Sequence, residues 1–314
     1  MSIHFSTIIT ASLFLLVLGT VSLVNTSETP ADTDVRALFD HLLNGYDTRI
    51  RPTANQSKAV VVYVHFAVTN ILDFQTASQK FDVLGYFLFT WTDEFLTWNT
   101  SDYSGVNIMK IPHTQVWTPT IIISKIYGGE SKVGHISDRV AVSSDGSVLW
   151  QPEGTYNIIC EVQITYYPFD EQTCTLTFYV SDESLMEVEL TADSLGGVRT
   201  DKFSENSEWK LLEVYAERRE EYGAYMMDIN FALGRRFEFI VFTVIAPLII
   251  LSILNLCVFL VPIESEEKGS FSVTIFLSYG VFVSEISSSL PHNSLNLPYL
   301  LIYMLLLLIF SVLT

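Results

Sequence analysis

Two cysteines and a stripe of hydroxyl side chains are the residues whose types and spacing suggest specific chemistry. Cys160 and Cys174 enclose residues 161–173, whereas Cys257 lies apart in an apolar run. In an oxidising compartment we expect the even pair to form a disulfide, which stabilises a loop of this length by roughly 3 kcal/mol. The enclosed segment Tyr166–Asp170 is apolar around one proline and one acid, so we expect it to rest on a membrane domain.

The stripe indicates a helix with one distinctive face. Its members recur every three or four positions and are Ser270, Thr274, Leu277, Val281, Ser284 and Ser288. That spacing places them on one side of a helix whose other sides are apolar and aromatic. Such a membrane helix needs a polar neighbour, which is either water in a pore or an adjacent helix that accepts hydroxyl hydrogen bonds. The pattern leaves both interpretations open.

Acidic residues accompany the stripe. Glu264, Glu266 and Glu267 precede Lys268, and Glu285 lies deeper, beside the hydroxyls. A ring of such carboxylates selects cations at a pore mouth, while a solvated turn is the alternative. Glu285 is a candidate functional residue because lipid penalises a carboxylate strongly.

Apolar runs must hold these residues in a membrane. We predict a transmembrane domain at residues 237–314, with helices at about 239–261, 270–290 and 297–314. The first run is long enough to cross about 30 Å of hydrocarbon. Pro247 within it is a candidate for a kink, which membrane helices tolerate. The chain ends inside or just after the third run.

The N-terminus predicts secretion. Residues 1–24 contain a short apolar run followed by small and polar residues, as in a cleaved signal peptide. This orientation places residues 25–236 outside the cell, although the acidic turn after the first helix would favour the opposite by the positive-inside rule. Sequons at Asn55 and Asn99 fit an extracellular domain that is glycosylated.

Residues 25–236 have the pattern of a β-sandwich preceded by a helix. Asp32 or Thr33 can cap that helix, and Gly45 closes it. Short β-branched and aromatic runs separated by turns come next, and the expected strands cover 60–68, 83–91, 116–123, 139–150, 158–165, 175–180, 187–190, 209–215 and 225–232. The expected fold class is therefore a mainly β extracellular sandwich followed by an α-helical transmembrane domain.

Composition narrows the function classes. The net charge is −18, and a chain this acidic does not suit nucleic acid, whose phosphates need a basic surface. The charge suits attraction of cations, or it only solubilises the surface. The six histidines are scattered and no catalytic motif is present. We therefore expect no enzyme, no cofactor and no metal.

Together these motifs resemble the Cys-loop pentameric ligand-gated ion channels, and among them the nicotinic acetylcholine receptor subunits. The resemblance covers nearly the whole chain after the signal peptide. It rests on Tyr46, Arg51, Pro52, Trp91-Thr92-Asp93, Leu96, Trp98, Trp117-Thr118-Pro119, Trp150, the Cys160–Cys174 loop with Pro168-Phe169-Asp170 and Gln172, Glu267-Lys268, Leu277 and Pro291. It implies a homo- or hetero-pentamer in the plasma membrane, with a postsynaptic site as one option, and ligand bound between neighbouring extracellular domains.

The resemblance also assigns roles in conduction. The second span would line a pore for monovalent cations, with Glu267 as the selectivity ring and Leu277 as the hydrophobic gate. The pore-lining set would further include Ser270, Thr274, Val281 and Glu285. Asp170 and Arg235 match an acid and a base that meet at the domain–membrane junction, whereas Thr76 stands where relatives have an acid.

Departures from the family pattern indicate the type of subunit. Small cationic neurotransmitters such as acetylcholine bind an aromatic cage through cation–π attraction. Ser124 and Ser181 replace two cage aromatics of the principal face, and no adjacent cysteine pair is present. Tyr222 and Tyr225 are candidates for the third loop of that face. On the complementary face Tyr86 stands for a tryptophan, with ordinary strand packing as the alternative. We therefore expect a non-alpha subunit with an alpha-type partner.

Two other readings remain. A membrane-anchored binding module that does not conduct would explain the sandwich and the disulfide, but not the stripe or the acidic turn. A truncated, non-conducting modulatory subunit would explain why the chain stops before the family's fourth span.

Overall fold

The structure is a computed structural model that describes residues 32–128, 131–181, 187–192, 197–221, 224–262, 267–291 and 297–313. The first element in these residues is a helix. Helix α1 spans Asp32–Leu43 and contributes Leu38 and Leu42 to the hydrophobic core. Gly45 follows it with a φ of 81°, a left-handed conformation that glycine adopts without steric cost at a helix C-terminus.

Two β-sheets come after this helix. Their strands are β1 Val60–Gln75, β2 Lys80–Thr92, β3 Ile108–Pro112, β4 Ile121–Ile123, β5 Arg139–Ser143, β6 Ser147–Trp150, β7 Glu153–Ile159, β8 Glu171–Val180, β9 Val188–Ala192, β10 Val198–Arg199, β11 Trp209–Glu221 and β12 Ala224–Arg235. One sheet has the order β10-β1-β2-β6-β5-β3, with β7 paired to β2 and β9 paired to β1. The other has the order β11-β12-β8-β4.

Aromatic side chains fill the space between the sheets. Phe66 on β1 and Phe87 on β2 have ring centroids 4.8 Å apart. Phe87 meets Phe178 on β8 at 4.9 Å, and Phe66 meets Phe231 on β12 at 6.3 Å. All four side chains are fully buried. Their burial is what joins the two sheets, since apolar area removed from water is the main favourable term in folding.

Three helices follow the sandwich. Helix α2 spans Glu238–Leu260 and helix α3 spans Glu267–Ser289, and both are long and apolar enough to cross a membrane. Helix α4, Tyr299–Leu313, is shorter. Helix α2 contains a π-helical stretch at Val241–Ile245, which ends two residues before Pro247. The proline ring cannot fit against the carbonyl four residues earlier, which accounts for the widened turn.

The β-sandwich, the preceding helix and the membrane-length helices confirm the fold class expected from the sequence. The main difference lies at residues 158–165, predicted as a strand. Strand β7 instead ends at Ile159, because Ile159 pairs with Lys80, the first residue of its partner strand β2. Strands β3 and β10 were not predicted. Of the predicted strand 116–123, only Ile121–Ile123 pairs.

Candidate functional site

Tyr86 lies on the outer face of strand β2. Residues on this strand alternate between half-buried and buried, and Tyr86 belongs to the half-buried series. Its neighbours in register are Ala67 on β1 and Glu153 on β7. Gly85 beside it has no room for a side chain, because a Cβ there would lie 2.6 Å from the Ala67 carbonyl oxygen. The backbone before Tyr86 is therefore fixed tightly against β1.

Tyr225 lies at the start of strand β12 in the other sheet. The Arg218 guanidinium covers its ring at 4.7 Å from the centroid. Arg218 also forms an ion pair of 3.0 Å with Glu189. Tyr222, the second aromatic candidate of this loop, lies outside the described residues.

Ser124 and Ser181, which the resemblance aligns with cage aromatics, directly follow strands β4 and β8 of the sheet that contains Tyr225. The backbone N–H of Ser124 donates to the Thr177 carbonyl at 2.8 Å, and the N–H of Ser181 donates to the Thr120 carbonyl at 2.8 Å. Both serines are half-buried. Tyr86 is on one sheet, and Tyr225 is on the other.

The loop closed by the disulfide lies against the membrane helices. Cys160 and Cys174 are bonded, with a sulfur–sulfur distance of 2.05 Å. The Tyr166 ring lies 5.6 Å from the Tyr299 ring at the start of α4, and the Phe169 ring lies 5.0 Å from Phe237. These contacts account for an apolar loop at this position. The Tyr299 N–H also donates to the Thr165 carbonyl at 3.1 Å.

Asp170 and Arg235 form an ion pair close to the start of helix α2. The Arg235 guanidinium donates to both Asp170 carboxylate oxygens, at 2.7 and 3.0 Å. Its other contacts are the ring faces of Trp209 at 4.3 Å and Tyr167 at 5.0 Å. The side chain of Asp170 is 1% exposed and that of Arg235 is 12% exposed. Burial raises the pKa of the Tyr167 hydroxyl, while the Arg235 charge acts against that rise.

Helix α3 turns its stripe away from the other two helices. Ile275, Tyr279 and Ile286 are buried against the neighbouring helices. Leu277 and Val281 are 61% and 69% exposed in the single chain. The other stripe members and nearby acids are exposed too: Glu267, Ser270, Thr274, Ser284, Glu285 and Ser288.

The stripe hydroxyls do not bond to the other helices in the described part of the chain. Thr274 donates to the Ser270 carbonyl at 2.8 Å and Ser288 to the Glu285 carbonyl at 2.7 Å, both within α3. Ser272, which is on α3 but off the stripe, does reach another helix and donates to the Ser311 carbonyl of α4 at 3.0 Å. Within one subunit, hydrogen bonding between helices therefore does not account for the stripe. Glu264 and Glu266 lie outside the described residues.

Three features of the sites were not predicted from the sequence. Lys202 faces the Tyr86 ring, and Arg218 faces the Tyr225 ring. Tyr127, three residues after Ser124, donates its hydroxyl to Asp82. Burial, followed by this hydrogen bond, raises the pKa of Tyr127 to about 12. Each contact depends on how strands and turns are placed in space, so no local pattern signals it.

Two further observations concern ligands and modification. Asn55 and Asn99, the predicted glycosylation sites, are both exposed. Within the described ranges, no group of three or more His, Cys, Asp or Glu side chains is placed to hold a metal ion.

Comparison with known families covers most of the chain. Residues 35–237 match the family described as neurotransmitter-gated ion-channel ligand binding domain. Residues 244–314 match the family described as neurotransmitter-gated ion-channel transmembrane region. The first match alone extends over more than half of the chain.

Three matched relatives are acetylcholine receptor subunits. The human neuronal acetylcholine receptor subunit beta-3 is 30% identical over 308 residues, which are 96% of this chain and 66% of that protein. The rat beta-3 subunit is 30% identical over 88% of this chain and 60% of its own length. The acetylcholine receptor subunit epsilon of Xenopus laevis is 27% identical over 85% of this chain and 56% of its own length. The chain thus spans less than two thirds of these relatives.

Proposed function

Because this chain belongs to the neurotransmitter-gated ion-channel family, we propose that it is a subunit of a pentameric, cation-selective channel of the acetylcholine receptor type. The observation that carries the proposal is the orientation of helix α3. Its stripe from Ser270 to Ser288 is exposed, while Ile275, Tyr279 and Ile286 are buried against the subunit's own helices. Five copies arranged around an axis with this stripe inward would line a water-filled path.

Each level of the stripe then has a physical role. Glu267, exposed at the start of α3, would form a ring of carboxylates that attracts Na⁺ or K⁺ and repels Cl⁻. Thr274 offers a hydroxyl to a passing ion. Leu277 offers none, so a narrow ring of leucines excludes water and closes the path. Val281 continues the stripe towards the far end, and Glu285 lies beside it.

The extracellular faces support a non-alpha role. Ser124 and Ser181 cannot supply the ring faces that hold an ammonium group, and the Tyr225 ring is covered by Arg218. Tyr86 remains as the aromatic contribution of this chain, offered across an interface to an alpha-type partner. The ligand would be a small cationic neurotransmitter such as acetylcholine, and the receptor would lie in the plasma membrane with its large domain outside.

The experiment uses identical substitutions on and off the stripe. Val281→Thr and Leu277→Thr should wet the path and increase spontaneous current, whereas Val283→Thr, half-buried on another side of α3, should not. Glu267→Ala should move the reversal potential towards that of Cl⁻. The currents are recorded in cells that co-express the chain with an alpha-type partner.

Surface labelling identifies pentamers that contain the chain. If labelled pentamers show the same current and selectivity with all four variants, α3 does not line the pore, and a non-conducting modulatory subunit or binding module becomes the better interpretation.

A further inference from the structure

The ring of Tyr86 already faces a cation of its own chain. The Lys202 ammonium lies 5.9 Å from the centre of the ring. Cations are attracted to aromatic faces over distances up to about 6 Å. Lys202 is exposed and forms no salt bridge within the part of the chain that the structure describes. Its charge is therefore not neutralised by a direct ion pair.

The turn that carries Lys202 is fixed to the sheet on both sides. Before it, β10 pairs with β1 through Phe66 and Val198. After it, the Ser204 N–H donates to the Thr69 carbonyl at 2.9 Å. Phe203, next to Lys202, is partly buried against the hydrophobic core. The ammonium therefore reaches Tyr86 from an anchored turn rather than from a free loop.

Charged residues of both signs lie in the same row of the sheet as Tyr86. Arg199, Ala67, Tyr86 and Glu153 form one row across strands β10, β1, β2 and β7. Arg199 and Glu153 are both exposed and stand on opposite sides of Tyr86. Glu153 is one strand away from Tyr86 and Arg199 is two strands away, and in the described part of the chain Lys202 is the cation that lies over the ring.

We infer that Lys202 is a specificity-determining residue that competes with cationic ligands for the face of Tyr86. The inference rests on the proposed function of Tyr86 as part of a complementary face. An ammonium ligand must displace Lys202 or accept a like charge close by, and both reduce its affinity. A ligand whose group near Tyr86 is neutral or anionic meets no such competition.

The test is a double-substitution cycle with a binding readout that does not depend on channel opening. A cysteine is introduced as Leu88→Cys, two residues along the outer face of β2 from Tyr86. Tetramethylammonium is the probe, and its occupancy is measured as protection of this cysteine from a membrane-impermeant maleimide on intact cells. The chain without the introduced cysteine gives the background, and the chain is co-expressed with an alpha-type partner.

Lys202→Gln should lower the half-protecting concentration of tetramethylammonium by about two- to fivefold, the range expected for one exposed cation–π contact. Lys202→Arg keeps the charge and should stay close to the unmodified chain. In a Tyr86→Leu background, Lys202→Gln should have no effect. Lys110→Gln is the matched control, since Lys110 is an exposed strand lysine on β3 at the far end of the sheet.

Three results would overturn the inference. The first is no shift with Lys202→Gln. The second is an equal shift where none is expected, either with Lys110→Gln or in the Tyr86→Leu background. The third is no protection by tetramethylammonium even after Lys202→Gln. Channel recordings on the same cells separate this outcome from the fate of the proposed function. A selective shift in protection without current would support the role of Lys202 and count against conduction.

Discussion

The Tyr46 hydroxyl donates a hydrogen bond of 2.6 Å to Asp93, a carboxylate that is fully buried. The same hydroxyl accepts from the Trp117 N–H at 3.1 Å, so one side chain joins the segment after α1, the end of β2 and the loop before β4. Burial raises the pKa of Asp93 above its usual range, and the hydrogen bonds from Tyr46 and Phe95 oppose that rise.

This raised pKa predicts a specific dependence of stability on pH. With a folded-state pKa above that of the unfolded chain, the contribution of Asp93 is most favourable below about pH 4 and is lost as pH rises through the folded-state pKa. The free energy of unfolding of the parent chain, minus that of Asp93→Asn, should therefore fall with rising pH. Thermal unfolding of the detergent-solubilised receptor at several pH values measures it. A difference that grows with pH would contradict the assignment.

Removing the Tyr46 hydroxyl should destabilise the fold. Tyr46→Phe leaves the buried Asp93 oxygen and the Trp117 N–H without this partner, at a cost of about 1–3 kcal/mol. Tyr103→Phe is a suitable control, because Tyr103 is only partly buried and its hydroxyl forms no side-chain hydrogen bond in the described part of the chain. The two variants are compared by unfolding temperature at neutral pH, and equal losses would argue against a special role for Tyr46.

Breaking the pair of Arg235 and Asp170 should be strongly destabilising. Removing either partner leaves a buried, unpaired charge behind, for which about 3–5 kcal/mol is typical. Arg235→Lys keeps the charge but loses the two-pronged hydrogen bonding and the stacking on Trp209, so an intermediate loss is expected. Surface expression and unfolding temperature are the measurements. Arg49→Gln, at an exposed pair with Asp47, is the control and should leave both unchanged.

The disulfide should be necessary for assembly. Cys174→Ser removes a cross-link worth about 3 kcal/mol for a loop of this size, and we expect loss of surface receptor measured by biotinylation. The double variant Cys160→Ser with Cys174→Ser should resemble the single one, since the effect comes from the lost bond and not from a stray thiol. Cys257 is free, and Cys257→Ser should be tolerated. Normal surface levels with Cys174→Ser would refute this prediction.

Expressed without partners, the chain should show no high-affinity acetylcholine binding. Its principal face lacks the aromatic groups at Ser124 and Ser181. With an alpha-type partner, saturable binding of labelled acetylcholine should appear, and Tyr86→Leu should weaken it by about three- to thirtyfold. Tight binding by the chain alone would show that the serines do not disable the principal face.

Local periodicity gave the most accurate predictions. The three-to-four spacing of the α3 stripe predicted which residues of that helix avoid the subunit interior. Apolar runs placed the first two membrane helices within a few residues of Glu238–Leu260 and Glu267–Ser289. Strand β10 was not predicted because its two residues, Val198 and Arg199, are too few to show the alternation typical of a strand.

Contacts that depend on long-range placement could not be predicted. Lys202 reaches Tyr86 because a parallel pairing of β10 with β1 brings the turn beside β2. Neither residue has a local signature of this contact. The same applies to Arg218 and Tyr225, whose approach depends on the register between β11 and β12.

The turn between β1 and β2 has a consequence for ionic strength. Thr76 donates to the Ser289 carbonyl at the end of α3, at 3.4 Å. This contact carries no net charge, so dissolved ions do not screen it. The charged pair of Arg235 and Asp170 is buried, and the Debye screening that weakens exposed pairs acts little on it. The coupling between the extracellular domain and the membrane helices of this subunit should therefore vary little between dilute buffer and physiological saline.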